Sequence, residues 1–275
     1  MEISSKSGVL HYIFIYIMLL CNQSVAQQQL SVFVSYGVLC LTLVLFIWLG
    51  SIEKRTCIFL AFLLGMTILL YFITKGGIGP SHWINWATMI LITLVVVYWD
   101  RECVIERYLR VVYILSLISI IFFIWQIGDI DSLRKIFLIH GELAQSYEVY
   151  SYFESAITTS LAHYPFDGMF IYVVNGMNEI RNVGLYTEPG VFQMVINTAI
   201  FFLLFEGHAY TGIKKKKYLV IYVITLLTSQ STTGYIVCAV IILVYLWVSD
   251  KKIVEKSTKT LVLKLLLCLA VVCIV

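Results

Sequence analysis

The stretch Arg181-Asn182-Val183-Gly184-Leu185-Tyr186-Thr187-Glu188-Pro189-Gly190 sets a guanidinium and a carboxylate just ahead of an apolar run. Glu188 precedes Pro189, which biases it toward extended backbone, while Pro189 suits the first position of a helix. The start of such a helix offers unpaired backbone amides and the positive end of a dipole. Arg181 adds a permanent planar cation a few residues upstream. Together these groups suit a phosphate or pyrophosphate. The competing reading is structural, with Arg181 paired to Glu179 or Glu188 or set against lipid headgroups.

Other polar groups cluster nearby in sequence. Gln193 and Asn197 are four residues apart and share a helix face, with Thr198 beside them. Such a stripe serves either a ligand or hydrogen bonds between helices. Ser229-Gln230-Ser231-Thr232-Thr233-Gly234 joins two apolar runs without any charge. Its hydroxyls suit a sugar or phosphate, and equally the cap of the following helix. His163, Asp167, Glu154 and Glu179 are candidates for a general base that takes the proton of a sugar hydroxyl, each against the simpler reading of a solvated loop residue. Tyr147, Tyr150, Tyr152, Phe153, Tyr164 and Phe166 suit stacking on sugar rings, although an aromatic belt at a membrane interface has the same composition.

The elements that must hold these groups read as membrane helices. The 275-residue chain is 60% hydrophobic and 13% charged, with a mean hydropathy of +0.92. Soluble domains carry about 25% charged residues, so the composition reads as an integral membrane protein. Apolar runs near the length a bilayer needs are Leu30 to Ser51, Thr56 to Thr74, Trp83 to Trp99, Leu109 to Gly128 and Pro189 to Phe205. Val9 to Cys21, Tyr218 to Thr228 and Tyr235 to Ser249 are shorter and suffice if their polar flanks extend into the interface. A further run, Leu261 to Val275, contains Lys264 and stops while still apolar, as a truncated product would. The expected fold class is therefore all-α, a polytopic bundle of about eight to nine spans. Three parts are expected: helices over 1–128, a long extracytoplasmic loop over 129–188, and helices over 189–275.

Charge sets the orientation. With the N-terminus inside, the inner segments carry Lys6, Lys54, Arg55, Arg101, Arg107, Arg110, Lys214 to Lys217, Lys251, Lys252, Lys256 and Lys259. The outer segments carry Lys75, Arg134, Lys135 and Arg181. That asymmetry follows the positive-inside rule and puts the Arg181 motif on the extracytoplasmic side. An alternative for the N-terminus is a signal peptide cleaved after Ser24-Val25-Ala26, which leaves the downstream topology unchanged. The segment from Asp129 to Glu188 is far longer than any other connection, and loops of that size are usually functional. Ile130, Leu133, Phe137, Leu143, Ala144 and Tyr147 predict an amphipathic helix on the membrane surface, and Met169 to Val174 a second apolar patch that re-enters the membrane.

Several chemistries find no support. A Walker loop, a GxSxG elbow, an HExxH pair and a Gly-rich dinucleotide fingerprint are all missing from the sequence. The seven cysteines lie in or beside apolar runs with no CxxC pair, and read as small apolar fillers rather than metal ligands. Nothing resembles a nucleic-acid module, and the +3 formal charge comes mostly from loop lysines and arginines.

The pattern Arg181-x-x-Gly184-x-Tyr186-x-Glu188-Pro189 leading into an apolar run, followed by Ser229-x-Ser231-x-x-Gly234, resembles bacterial O-antigen and capsular polysaccharide polymerases, with a layout shared by O-antigen ligases. The resemblance implies a glycosyltransferase of the bacterial inner membrane that acts on its extracytoplasmic face. The donor would be a polyprenyl-pyrophosphate-linked oligosaccharide, with other polysaccharide-assembly proteins as partners and with no metal or cofactor. Arg181 would bind the pyrophosphate, with Gly184, Tyr186, Gln193, Ser229 and Ser231 as further substrate-binding residues. Glu188, Glu179 and His163 are the expected bases in that order. The ligases use a His of the outer loop, for which His163 lies close to the motif and His140 further away. The Glu-Pro pair favours a polymerase. The rival outside enzymology is a flippase or other transporter of lipid-linked sugars. Transporters tend to have repeat-related halves and polar groups near mid-membrane, whereas polarity here gathers at the outer face.

Overall fold

The computed structural model describes residues 8–29, 37–42, 44–45, 65, 80–100, 103–150, 157–176, 180–206 and 210–249. Most of the run Leu30 to Ser51, nearly all of Thr56 to Thr74, the whole of Leu261 to Val275, and the candidates Glu154 and Glu179 fall outside these residues. The described chain is mostly helical. It divides into two compact units, Met1–Arg107 and Tyr108–Val275. The expected divisions at 128/129 and 188/189 both fall inside the second unit.

In the first unit α1 (Gly8–Leu20) packs on α3 (Pro80–Trp99), and α2 (Val25–Gln29) is a short helix between them in sequence. Trp99 is the hinge of that packing, with its ring 4.6 Å from His11 and 5.1 Å, edge on, from Phe14. Just beyond α3, Asp100 forms an ion pair with Arg107 at 2.6 Å, and the Arg107 guanidinium lies 5.9 Å from the Tyr12 ring.

The second unit takes in most of α4 (Val104–Gly128), then α5 (Ile130–Ile136), β1 (His140–Tyr150), β2 (Ile157–Asp167), β3 (Val174–Asn175), α6 (Pro189–Phe205), α7 (Gly212–Ser229) and α8 (Thr232–Ser249). α6 packs against both α7 and α8. Tyrosine hydroxyls tie the helices together where they would otherwise be buried without partners. Tyr108 donates to the Val195 carbonyl at 3.2 Å, and Tyr222 to the Leu109 carbonyl at 2.7 Å. Among the described residues α4 alone is long and apolar enough to cross a bilayer; Gly8–Leu20, Ala87–Trp99, Pro189–Phe205 and Thr232–Val248 are apolar but shorter.

The segment from Asp129 to Glu188 differs from the expected surface helix. Helix α5 is only seven residues long and ends at Ile136. Leu143, Ala144 and Tyr147 belong instead to β1, which runs antiparallel to β2 from His140 opposite Asp167 to Tyr150 opposite Ile157. A spacing of four fits the helical period and is also a multiple of two, so Leu143 and Tyr147 suit either element. The β-branched and aromatic content of Val149, Tyr150, Ile157, Thr158 and Thr159 favours the strand. Met169 to Val174, the second apolar patch, follows a turn at Gly168 and enters β3, with Tyr172, Val173 and Val174 fully buried. Phe123 of α4, Leu133 of α5, Tyr172 and Val174 form one apolar cluster, which roots the loop on the end of α4.

Candidate functional site

The two motif segments that the sequence separates meet in space. The Arg181 Nη2 donates to the Gln230 carbonyl at 2.8 Å, and the Asn182 backbone N–H donates to the Thr228 carbonyl at 3.0 Å. Both acceptors lie at the C-terminus of α7, where Gln230 adopts left-handed backbone and closes the helix. A cation beside that end is favoured by the dipole and by the surplus of unpaired carbonyls. Arg181 is half-buried, and among the described residues no carboxylate pairs with it. Neither Glu188 nor any other described acid neutralises this guanidinium.

Asn182 holds the loop. It is fully buried, and its Nδ2 donates to Thr228 Oγ1 at 2.9 Å and to Ser119 Oγ at 3.2 Å, while its Oδ1 accepts from the Gly184 N–H at 3.0 Å. One side chain thereby joins the loop to α4 and to the end of α7. Gly184 follows with φ +60°, and a Cβ there would sit 2.9 Å from the Phe192 ring, so only glycine fits. Its carbonyl accepts from the Val173 N–H at 2.7 Å, which stitches the motif to the entrance of β3. Asn175 of β3 donates through Nδ2 to the Thr187 carbonyl at 2.8 Å. Glu188 is the exposed N-cap of α6 with extended backbone, and Pro189 takes the first helical position, as the Glu-Pro pair predicts.

The expected binding residues therefore separate into two groups. Arg181 is half-buried, Ser231 is half-buried and Glu188 is exposed, so all three present surface. Gly184, Tyr186, Gln193 and Ser229 are buried, and their observed contacts are with the protein itself. The Tyr186 ring lies 5.9 Å from that of Phe192. Ser229 Oγ donates to the Leu226 carbonyl of its own helix at 2.7 Å. Gln193 Oε1 accepts from Asn197 Nδ2 at 2.8 Å, and the same Nδ2 reaches the Gly234 carbonyl at 3.0 Å. The polar stripe on α6 thus bonds to α8. A Cβ at Gly234 would meet Gln193 Oε1 at 2.8 Å, which shows how closely the two helices approach. All four are enclosed, unlike Arg181, Ser231 and Glu188.

A second polar cluster lies at the root of the β1–β2 ribbon. Asp167, with 15% of its side chain exposed, has His140 Nδ1 2.6 Å from Oδ1 and forms an ion pair with Arg134, whose Nε lies 3.0 Å from Oδ2. The His140 ring is 58% exposed. His163, third of the expected bases, is also exposed, but its Nδ1 lies 3.7 Å from Glu142 Oε2, too far for a hydrogen bond. Deeper in the loop, burial pushes the Tyr172 phenol far above its ordinary range, and its hydroxyl donates to Gln126 Oε1 at 2.8 Å. Among the described residues no group of three or more His, Cys, Asp or Glu side chains could hold a metal ion.

Sequence reasoning passed over Asn182 and the pairing of His140 with Asp167. Asn182 sits inside the motif, and the signal for it was an Asn two residues before a Gly, a spacing that suits a side-chain-closed turn. His140 carried no local signal, because its partner Asp167 is 27 residues away. Comparison with protein-family models, with curated proteins and with solved structures finds no match to this chain.

Proposed function

We propose that this chain is a multi-pass inner-membrane glycosyltransferase that polymerises polyprenyl-pyrophosphate-linked oligosaccharide repeat units on the extracytoplasmic face. The observation that supports this reading is the meeting of Arg181 with Gln230 across 49 residues, which joins both halves of the polymerase-like pattern around one guanidinium that no described carboxylate neutralises. Arg181 binds the pyrophosphate and stabilises the charge that develops on it as the glycosidic bond breaks. Ser231 lies beside Gln230 and lends a hydroxyl to the same anion. The polarity of the loop root, set beside apolar helices, fits a donor whose headgroup is wet and whose tail is in lipid. In this reading the apolar helices, including those of thirteen to eighteen residues, cross the membrane as an eight- or nine-span bundle.

The test uses a strain lacking the protein, complemented with wild type, Arg181→Lys or Arg181→Ala, and read as surface-polysaccharide ladders on gels. Wild type restores the ladder. Arg181→Lys keeps the charge but loses the planar fork, and the expected outcome is a polymer yield lowered about tenfold or more, with single repeats accumulating. A ladder that does not change when the protein is absent overturns the reading. Loss of every chain from its outer-membrane anchor, with polymer length intact, makes the protein a ligase instead.

A further inference from the structure

At the start of α7 we infer that the lysine run, seated on a stack of tyrosines, is a docking surface for the phosphate of an anionic phospholipid headgroup. This rests on the membrane-spanning part of the reading above and is independent of glycosyl transfer. Four consecutive lysines, Lys214 to Lys217, open α7. Cations at a helix N-terminus oppose the dipole, and Lys214 and Lys217 are neighbours three residues apart, so the run repels itself. Among the described residues no carboxylate forms an ion pair with any of the four.

The compensation within the protein is aromatic. The Lys214 ammonium lies 4.5 Å from the centroid of the Tyr210 ring, and that of Lys217 lies 5.9 Å from the centroid of Tyr113 on α4. Tyr218 bridges those two rings, stacked on Tyr113 at 4.1 Å and edge on to Tyr210 at 4.8 Å. A ring face attracts a cation and leaves its N–H groups available to other acceptors. Lys215 differs: half-buried, it lies 5.4 Å from the Tyr245 ring and donates to the Leu204 carbonyl at 3.2 Å, in the last turn of α6. It therefore closes α6, where a cation suits the dipole. Lys214, Lys216 and Lys217 are exposed. Rings hold two of these long side chains, which removes part of the rotamer entropy that binding an anion would otherwise cost.

The source of the phosphate follows from what surrounds the lysines. Ile213 is 87% exposed, and Val220, Ile224 and Leu227 continue from it along one exposed face at helical spacing. At about 3.6 residues per turn, Lys216 and Lys217 flank this stripe. An ammonium on a long apolar stem beside such a face suits the headgroup layer, with the stem in lipid and the charge at the phosphate. A soluble anion would make no use of Ile213. The length of α7 is about 27 Å at about 1.5 Å per residue, close to the ~30 Å core of a bilayer, and Arg181 is seated at its far end on Gln230. The two basic sites therefore stand about one bilayer apart. The lysines fall on the side to which the charge distribution assigns the cytoplasm, where the leaflet surface is anionic.

The experiment places full-length protein in phosphatidylcholine vesicles carrying trace spin-labelled phosphatidylglycerol or spin-labelled phosphatidylcholine. Electron paramagnetic resonance reads the immobilised fraction of each. Wild type is expected to favour phosphatidylglycerol about fivefold or more. Lys214→Gln with Lys217→Gln should bring that preference within about twofold. Tyr113→Leu keeps every charge and should lower it by about half. Lys216→Gln, at an exposed side chain, supplies a milder variant and should lower it about twofold. Lys251→Gln with Lys252→Gln removes the same charge elsewhere and should leave the preference unchanged. An equal loss in that control assigns the effect to general surface charge and overturns the site, as does a wild-type preference below about twofold. Inorganic phosphate, at an ionic strength matched with chloride, should not compete; if it abolishes the preference, the surface binds a soluble anion and the lipid assignment falls. Thermal melts within a few degrees of wild type show that each variant is folded. If alkaline carbonate strips the wild-type protein from the vesicles, the membrane-spanning reading falls and the docking surface with it, whereas glycosyl transfer is judged separately by the polysaccharide ladder.

Discussion

The motif loop and the ribbon root are both polar clusters in the second unit, yet they are built from opposite materials. Around Asn182, itself fully buried, the partners are neutral hydroxyls and a backbone N–H. Around Asp167 the partners are a guanidinium and an imidazole, and the imidazole ring stands mostly in solvent. Neutral groups in a dry setting cost little desolvation once they are bonded, so they make a rigid frame. Charged groups with an exposed member stay in contact with solvent, so that cluster faces outward. The lesson is that the enclosed polar frame around Asn182 and the charged cluster around Asp167 lie on different segments of the loop.

Substitutions can break that contrast. Gly184→Ala is expected to have the largest effect on stability, because it needs left-handed backbone and drives a Cβ into the Phe192 ring at 2.9 Å. The two penalties together amount to about 2–4 kcal/mol, and a thermal melt in detergent should show the drop. Asn182→Ala comes next. It leaves the Gly184 N–H and two hydroxyls short of a partner in a buried place, for a loss of about 1–3 kcal/mol. If Asn182 were a ligand group rather than part of the frame, this variant would lose activity with an unchanged melt.

Asn197→Ala is expected to be milder, about 0.6–1.7 kcal/mol, the range for hydrogen bonds between helices in a membrane. It should loosen α6 from α8, read as faster amide exchange around Gly234, with the ribbon unaffected. The smallest expected effect concerns Asp129, the N-cap of α5. Hydrogen bonds from the Ser132 backbone N–H and side chain hold its carboxyl below the usual aspartate value. A depressed pKa means that the cap favours the folded loop above the ordinary aspartate value and loses this contribution as pH falls through the lowered one. Carbon-13 titration of Asp129 should therefore show a midpoint below 3.8, the reference value for the free side chain. Asp129→Asn should remove the pH dependence of α5.

Apolar runs, the Glu-Pro junction and turn residues are local properties, and those parts of the fold were legible in the sequence. The run from Pro189 to Phe205 is α6 to the residue, and Tyr235 to Ser249 lies within α8. A backbone that buries its polar groups must bond internally, so apolar length by itself predicts helix. The β1–β2 ribbon was misread because a four-residue spacing satisfies two periods at once, and only pairing with a second strand resolves it. The site was legible as a set of residue types but not as a place. Arg181 was identified from its charge, whereas its seat on Gln230 and the grip of Asn182 on Thr228 depend on a helix end that arrives 46 to 49 residues later. His140 and Asp167 are ordinary loop residues until antiparallel register sets them opposite each other. The sequence by itself determined apolar helices such as α6 and α8 and where the permanent cation lies, because those follow from neighbours along the chain. The tertiary structure decided which polar groups are enclosed and which stay exposed, because burial and partnership are set by segments far apart in the chain.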